Sequence, residues 1–253
     1  MGFAIKGSDA LIYIDLCLSN IVEEQSGAEW YRAYDPPVPP SELTIGDVYF
    51  ITHEHMDHLD SITVQAVNQV NPRIRFVAPG WCRQPLIDLG IQPERIIVPE
   101  ALKPFTLEPT TMRVTAIPSA HYEKTFDAEL GYRWFGYLIE WNGVRLYHAG
   151  DTIIYADYLE TMRTLPVADI AIIPVNGRDT IRETQLNATG NLMPVEAAYL
   201  ARELGWDMVI PGHNDLYPNN AIPFGEIVHA LETHTPRQKY KIVQPGELYY
   251  YVK

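Results

Sequence analysis

One short segment carries four side chains that can bind a metal ion, and it constrains the fold more than any other stretch of the sequence. The four are His53, His55, Asp57 and His58. A run of β-branched and aromatic residues at 48–51 precedes them, and apolar residues at spacings of three and four follow them over 59–70. The first pattern predicts a strand and the second an amphipathic helix. The sequence therefore predicts a strand, a turn rich in ligands, and a helix.

The spacing of these ligands indicates two neighbouring cation sites. His53 and His55 are two residues apart, so on extended backbone their side chains point the same way. Asp57 and His58 lie at the start of the predicted helix and can turn towards a second position. A single histidine at a strand–helix junction could be explained by capping of backbone groups. Three histidines and an aspartate within six residues are better explained by metal binding. The metalloprotease pattern H-E-x-x-H does not fit, because its fifth position is Asp57.

Three further candidate ligands each follow an apolar, strand-like run. They are His121 after residues 114–117, Asp151 after residues 144–147, and His213 after residues 208–210. Because open α/β sites tend to lie beyond the carboxyl ends of strands, we expect these ligands to converge with the first segment. His148 is three residues before Asp151 and faces the opposite way under strict alternation, so it is left out of the ligand set.

The rest of the chain alternates short strands with helices and shows no domain boundary. Further strand-like runs occupy residues 11–14, 74–78, 135–139, 170–175 and 248–252. Asn142-Gly143 predicts an antiparallel hairpin, and helices are expected over residues 194–204 and 224–233. We therefore expect one domain over residues 1–253, with a mixed sheet system covered by helices.

Charge and composition exclude several classes of partner. The 253 residues include 19 Lys plus Arg and 32 Asp plus Glu, for a formal net charge of −13. Such a charge opposes general attraction to phosphate backbones, so no nucleic-acid partner is expected. No apolar run approaches the roughly 18 residues of a membrane span, and no secretion signal is visible, so no membrane partner is expected. Because the two cysteines, Cys17 and Cys82, are too few for a disulfide scaffold, the expected location is the cytoplasm.

The order of the ligands, His-x-His-x-Asp-His followed by a lone His, a Gly-Asp and a Gly-His, resembles the metallo-β-lactamase superfamily. The resemblance implies a four-layer αββα sandwich, a mixture of α+β and α/β character with two mixed β-sheets, and a binuclear site at their edge. It also implies the ligand sets: His53, His55 and His121 for one cation, Asp57, His58 and His213 for the other, and Asp151 as the bridge. The expected cofactors are two divalent metal ions, Zn²⁺ or Mn²⁺, which nitrogen and oxygen ligands do not separate.

A closer similarity is to the L-ascorbate-6-phosphate lactonase branch of that superfamily. It rests on four stretches: Ala149-Gly150-Asp151-Thr152, Pro174-Val175-Asn176-Gly177-Arg178-Asp179, Gly190-Asn191 and Pro211-Gly212-His213-Asn214-Asp215. Residues 14–19 depart from the pattern of the branch, and we expect this stretch to lie away from the ligands.

These ligands predict a hydrolase in which a metal-bridging hydroxide attacks a carbonyl carbon. Two metals can lower the pKa of a shared water from about 15.7 towards about 7. Asp57 and Asp151 are the candidate catalytic residues, because both compensate the metal charge and can orient the water. The expected substrate is a phosphorylated sugar lactone. Two alternatives stay open: a phosphodiesterase similar to RNase Z or to phospholipase D-like relatives, and a metal-binding regulatory protein without turnover.

Six residues are candidates for substrate contacts: Asn176, Arg178, Arg182, Asn191, Tyr122 and Asn214. The two arginines lie in a polar segment between ligand-bearing strands, and arginine can bind phosphate through two hydrogen bonds. An ordinary surface loop with an Arg178–Asp179 pair is the alternative. The expected partner is a small molecule, and the sequence leaves a homo-oligomer open.

Overall fold

The computed structural model describes residues 2–253, and its first large sheet comes from the N-terminal part of the chain. This sheet has five strands in chain order: β1 (Phe3–Lys6), β2 (Leu11–Ile14), β3 (Val48–Phe50), β4 (Arg75–Val77) and β5 (Ile96–Ile97). β1 and β2 are antiparallel, whereas the other neighbours are parallel. The predicted strands at 11–14, 48–51 and 74–78 are therefore confirmed to within one residue at each end.

The second large sheet has seven strands: β6 (Phe105–Thr106), β7 (Arg113–Pro118), β10 (Phe135–Trp141), β11 (Val144–His148), β12 (Ile170–Pro174), β13 (Met208–Gly212) and β14 (Lys239–Tyr240). β8 (Phe126–Asp127) and β9 (Gly131–Tyr132) form a separate two-stranded sheet. In space the seven strands follow the order β14-β13-β12-β11-β10-β7-β6. The neighbours from β11 to β14 are parallel and the others are antiparallel, so this sheet is also mixed.

Within the described part of the chain, seven α-helices connect and cover the strands: α1 (Ile21–Ser26), α2 (Ser61–Val70), α3 (Gly80–Asp88), α4 (Tyr158–Arg163), α5 (Thr180–Gln185), α6 (Pro194–Leu204) and α7 (Phe224–His234). Four single-turn 3₁₀ helices lie at Ala28–Trp30, Pro40–Glu42, Pro93–Arg95 and Pro218–Asn220. The predicted helices after the histidine segment, at 194–204 and at 224–233 are confirmed as α2, α6 and α7. Among residues 2–253, no helix is long and apolar enough to cross a membrane.

Alternating side chains along the central strands divide between separate hydrophobic cores. In β12, Ile170 and Ile172 belong to the core between the two sheets, while Ala171 and Ile173 belong to the core beneath α4, α6 and α7. A third core lies on the outer face of the first sheet, where Val64 of α2 and other helical side chains pack. Three cores between four layers give the αββα sandwich, so the predicted fold class is confirmed.

The two sheets come into direct contact at the edge that carries the candidate ligands. The backbone N–H of Phe135 donates to the carbonyl of Thr52 over 3.0 Å. Gly150 has φ of +61°, and a Cβ there would lie 2.8 Å from both the Phe135 carbonyl oxygen and Thr52 Cβ. Only glycine allows this approach without displacing the backbone. Gly150, directly before Asp151, therefore allows the second sheet to pack against the histidine segment of the first sheet.

Local sequence signals were right at one hairpin and wrong at the end of the chain. Asn142 and Gly143 have φ of +50° and +76° between antiparallel β10 and β11, as a type I′ turn requires. The strand predicted at 248–252 is absent: that segment has no regular structure, and Leu248, Tyr250 and Val252 are exposed by 74%, 77% and 88%. β-Propensity alone does not make a strand where no neighbouring strand pairs with the backbone.

Candidate metal centre

Two groups of side chains meet where the sheets touch, and each is large enough to hold a metal ion. The first group is His53, His55, His121 and Asp151, and the second is Asp57, His58 and His213. Within each group the candidate ligand atoms lie within 4.8 Å of one another. The structure therefore brings together all seven residues that the sequence singles out as ligands, in the predicted division.

Asp151 faces both groups with different oxygens. Its Oδ1 is 3.2 Å from His58 Nε2 and 3.1 Å from His213 Nε2, while its Oδ2 is 3.3 Å from His121 Nε2. Oδ1 thus faces the second group of ligands and Oδ2 faces the first. This arrangement is what a residue bridging two cations requires.

The spacing of the ligand atoms fits a small divalent cation. A tetrahedral shell with bonds of about 2.0–2.2 Å places neighbouring ligand atoms roughly 3.3–3.6 Å apart. The measured separations include 3.1 Å between His58 Nε2 and His213 Nε2, and 3.2 Å between His213 Nε2 and Asp57 Oδ2. His53 Nε2 is buried without a hydrogen-bond partner among residues 2–253, which is costly unless it binds something else. The residues present therefore fit a metal centre.

Burial and the neighbouring charges shift the pKa values of the histidines in this cluster. Burial and the neighbouring His58 and His55 hold the pKa of His53 well below the usual value of 6.5. Burial also opposes protonation of His213, but the Asp151 and Asp57 carboxylates outweigh it and raise the pKa of His213 to about 9. A cation that binds there must displace the proton, because ligating imidazole is neutral.

Asp15, at the end of β2, supports the second group and was missed by sequence reasoning. Its Oδ2 accepts from His58 Nδ1 over 2.8 Å, and its Oδ1 accepts from the Thr52 backbone N–H over 2.8 Å. The bond to Nδ1 leaves Nε2 of His58 as the free nitrogen that faces Asp57, Asp151 and His213. The expectation that residues 14–19 lie away from the ligands is therefore wrong. The available signal was an acid directly after a strand, the same position as the other ligands.

We expect Asp15→Asn to weaken cation binding by about 10- to 100-fold, the usual effect of losing the partner that orients a ligating histidine. An amide that keeps the bond from the Thr52 N–H turns its NH₂ towards His58 Nδ1. That contact favours the tautomer with a proton on Nε2, where a cation would bind. Competition with a fluorescent zinc chelator measures the change, with Asp47→Asn, directly before β3, as control. Equal zinc affinity in Asp15→Asn and the wild type would contradict the assigned role of Asp15.

His148 lies outside both groups, in agreement with its exclusion from the ligand set. It is the last residue of β11 and is buried, its Nδ1 accepts from the Gly150 N–H over 3.1 Å, and its ring contacts Phe3 edge-on. These contacts hold the turn that leads to Asp151.

A cavity of about 640 Å³ opens beside the two groups of ligands. Apart from the ligands His55, Asp57, His121, Asp151 and His213, its wall comprises Val22, Ser26, Glu29, Trp30, Glu54, Met56, Gln185, Leu186, Asn187, Ala188, Thr189, Tyr217 and Asn220. The wall contains aromatic, aliphatic and acidic side chains but neither lysine nor arginine. Glu54 is paired with Arg133, whose guanidinium stacks on Trp81 and Trp134 outside the cavity.

None of the six residues predicted to contact substrate is part of this wall. Arg178 forms a two-point ion pair with Glu196, at 2.7 Å for each bond, and Arg182 donates to the Asn176 carbonyl over 2.7 Å. Asn214 bonds twice to the backbone of Ile222. These guanidinium and amide groups hold loops together. Arg178 pairs with Glu196 and Asp179 pairs with Arg182, so the Arg178–Asp179 surface pair of the alternative interpretation is not formed.

The other predicted contacts also support the frame around the cavity. The Tyr122 hydroxyl donates to Glu183 and receives the Gly190 N–H over 3.4 Å. Asn176 and Asn191 are fully buried and bond to each other. Their contact with substrate stays a prediction, while Asn220, which sequence reasoning did not select, does line the cavity.

We expect Glu196→Gln to lower the free energy of unfolding at pH 7 by roughly 1–2 kcal/mol, because a part-buried charged hydrogen bond to Arg178 is lost. Burial would raise the pKa of Glu196, but bonds from Arg178 and the Met193 N–H outweigh it and hold that pKa below its usual 4.5. A lowered carboxyl pKa contributes stability above the unfolded-state pKa that disappears as the pH falls through the folded-state value. Urea unfolding at pH 7 and at lower pH should therefore show the difference shrinking below about pH 4.5. Glu203→Gln, in an exposed pair, is the control, and a difference that grows with acidity would contradict the assignment.

Comparison with known proteins identifies the family to which this architecture belongs. The family described as the Beta-lactamase superfamily domain matches residues 12–214, most of the chain and all seven candidate ligands. The chain belongs to the metallo-β-lactamase superfamily. The narrower resemblance to the L-ascorbate-6-phosphate lactonase branch stays a prediction.

Individual known proteins resemble the chain over most of its length. A UPF0173 metal-dependent hydrolase from Methanoculleus marisnigri is 28% identical over 222 residues, which cover 84% of this chain and 86% of the relative. A solved structure described as a possible metal-dependent hydrolase from Veillonella parvula aligns with a TM-score of 0.73 at 14% identity, covering 96% of this chain and 94% of that one. Igni18, a metallo hydrolase from Ignicoccus hospitalis, aligns with a TM-score of 0.67 at 21% identity, covering 97% and 92%. At these identities the two structures show a shared fold.

Proposed function

We propose that this superfamily member is a metal-dependent hydrolase with a binuclear centre, and that it opens a lactone ring in a small-molecule substrate. The observation that carries the proposal is Asp151, whose two oxygens face two separate groups of histidines at 3.1–3.3 Å. The relative from Methanoculleus marisnigri, a UPF0173 metal-dependent hydrolase, supports the reaction class.

The chain supplies ligands and orientation, while bound cations supply the reactivity. Two divalent cations, when bound, make hydroxide available at neutral pH and polarise a carbonyl group. Asp57 lies on the cavity wall with Oδ2 3.2 Å from His213 Nε2, so its carboxylate can accept a hydrogen bond from the attacking water and orient it. Asp151 is buried and compensates the charge between the two groups.

The cavity wall favours a substrate without a phosphate group. Trp30, Met56 and Tyr217 offer apolar surface, and Glu29 is acidic. An anionic phosphate or phosphodiester placed against this wall would meet no lysine or arginine side chain. Arg178 and Arg182, the predicted phosphate contacts, are already engaged with Glu196 and with Asp179 and the Asn176 carbonyl. A neutral lactone therefore fits this wall better than its phosphorylated form does.

The test is proton release in a weakly buffered solution, with the protein loaded with zinc or manganese. The substrates are L-gulono-1,4-lactone, 6-phospho-D-glucono-lactone and bis(4-nitrophenyl) phosphate. We expect the neutral lactone to be turned over fastest, and Asp57→Ala to reduce its turnover at least about 100-fold.

Each other outcome selects a different function. Turnover of the phosphorylated lactone alone would restore the phosphate-binding prediction and direct mutagenesis to Arg178 and Arg182. Turnover of the diester alone would make the protein a phosphodiesterase. No turnover by a protein with two cations bound would favour the regulatory alternative.

A further inference from the structure

A hydrogen-bond network of three asparagine side chains connects the turn after Asp151 to the cavity wall. The Thr152 backbone N–H donates to Asn191 Oδ1 over 2.9 Å. Asn191 Nδ2 donates to Asn176 Oδ1 over 3.0 Å, and Asn176 Nδ2 donates to Asn220 Oδ1 over 3.0 Å. Asn176 and Asn191 are fully buried, and Asn220 is half-buried.

The hydrogen-bond donors at the two ends of this network determine the orientation of each amide group. The oxygen and nitrogen of an amide are hard to tell apart by shape, so their assignment depends on the partners. At one end, the backbone N–H of Thr152 can only donate, which requires the oxygen of Asn191 there. At the other end, the guanidinium of Arg182 can only donate, and its Nη1 lies 3.1 Å from Asn220 Oδ1 and 2.7 Å from the Asn176 carbonyl. All three asparagines therefore have one allowed orientation.

The consequence appears at Asn220. Asn220 lines the cavity, but the two residues that donate hydrogen bonds to its Oδ1, Asn176 and Arg182, do not. Its Nδ2 has no hydrogen-bond partner within residues 2–253. Its backbone is held as well, because the Asn220 N–H donates to the Tyr217 carbonyl over 2.9 Å in the 3₁₀ turn. The amide is thus held in one orientation, with one donor left unpaired, on a residue that lines the cavity.

We propose that Asn220 determines substrate specificity by donating a hydrogen bond from Nδ2 to an acceptor oxygen of the bound substrate. The proposal rests on the proposed function, since it concerns the same cavity. A donor that is already oriented loses little entropy on binding. A fixed donor left unpaired also discriminates against molecules that lack an oxygen there. Because Thr152 follows Asp151, one network positions both the substrate donor and the bridging carboxylate.

Asn220→Asp tests the donor while preserving the network. An aspartate Oδ1 still accepts from Asn176 and Arg182, so the fold should be retained, but the other oxygen presents an acceptor to the cavity. With L-gulono-1,4-lactone we expect KM to rise about 10- to 100-fold and kcat to change less than about threefold. Asn187→Asp, which adds the same charge to the cavity wall outside the network, should change KM much less. Equal increases in KM in both variants, or a loss in kcat alone, would overturn the proposal.

A second measurement does not depend on turnover. In the zinc-loaded, ¹⁵N-labelled protein, the Asn220 side-chain NH₂ signals are assigned by their absence in Asn220→Asp. Titration with L-gulonate, the ring-opened product, should shift these signals, and Asn220→Asp should bind it at least about tenfold more weakly. Unchanged Asn220 signals at saturating L-gulonate, or no difference between the wild type and Asn220→Asp, would overturn the donor role. Because this readout is independent of catalysis, failed turnover with a shifted Asn220 signal would reject the hydrolase alone.

Discussion

Replacing Asp151 with alanine is expected to reduce turnover at least about a thousandfold, because charge stabilisation by a metal pair contributes several kcal/mol. The same change should lower the bound zinc from two equivalents to one. Among residues 2–253, Asp151 alone has one oxygen facing each histidine group, at 3.1–3.3 Å. Without it, two cations would repel each other across an uncompensated gap.

Steady-state kinetics with the substrate that is turned over fastest measures the loss of activity. Metal analysis after dialysis measures the number of zinc equivalents that remain bound. Asp157→Ala is the control, because Asp157 lies six positions later, has a side chain that is 48% exposed, and pairs with Lys124 outside both groups of ligands. Circular dichroism checks that both variants fold. Two retained zinc equivalents in folded Asp151→Ala would contradict the bridging assignment, even if activity fell.

Asp60→Ala is expected to lower the free energy of unfolding by about 3–5 kcal/mol, the upper range for single substitutions. Asp60 is fully buried and is the N-cap of α2. Its carboxylate accepts six hydrogen bonds: from the N–H groups of Leu18, Ser19, Ile62 and Thr63 and from the hydroxyls of Ser19 and Thr63. Alanine would remove all six bonds. The Leu18 N–H keeps a second acceptor, Thr63 Oγ1, but the Ser19 and Thr63 donors lose their acceptor, and a buried donor left unpaired costs free energy.

Urea unfolding of metal-free protein measures this loss without the added stability that a bound cation would contribute. Asp179→Ala is the matched control, because Asp179 is also an N-cap aspartate that accepts from two backbone N–H groups but is exposed. The control should lose much less stability than Asp60→Ala. Equal losses in the two variants would show that burial of the Asp60 network adds nothing beyond capping.

The metal ligands could be predicted because strand periodicity and ligand chemistry act locally. His53, His121, Asp151 and His213 each follow an apolar run, and strand ends in such folds meet at one edge. The same local rules predicted α6 from Pro194 to Leu204, with Gly205 after its end, and the hairpin at Asn142-Gly143. They failed at residues 248–252, since a strand needs a neighbour and sequence propensity carries no information about one.

The residues around the cavity could not be predicted in this way. Arg178 follows a strand and its sequence context suggests that it is available for phosphate, but it is paired with Glu196 in the first turn of α6. Asp15 and His58 are 43 positions apart and meet only because β2 and β3 are neighbours in the sheet. Asn220 has no motif around it, and its role follows from a network that closes through Asn176 and Arg182.

The sequence by itself determined the kind of site and the fold that carries it. The ligand types, their order and the alternation of apolar residues are properties of short segments. They can be recognised without knowing how the rest of the chain folds. The tertiary structure alone decided which polar groups are free to meet a substrate. A guanidinium or amide is available only if no buried carboxylate or carbonyl occupies it, and those partners come from distant parts of the chain that packing brings together.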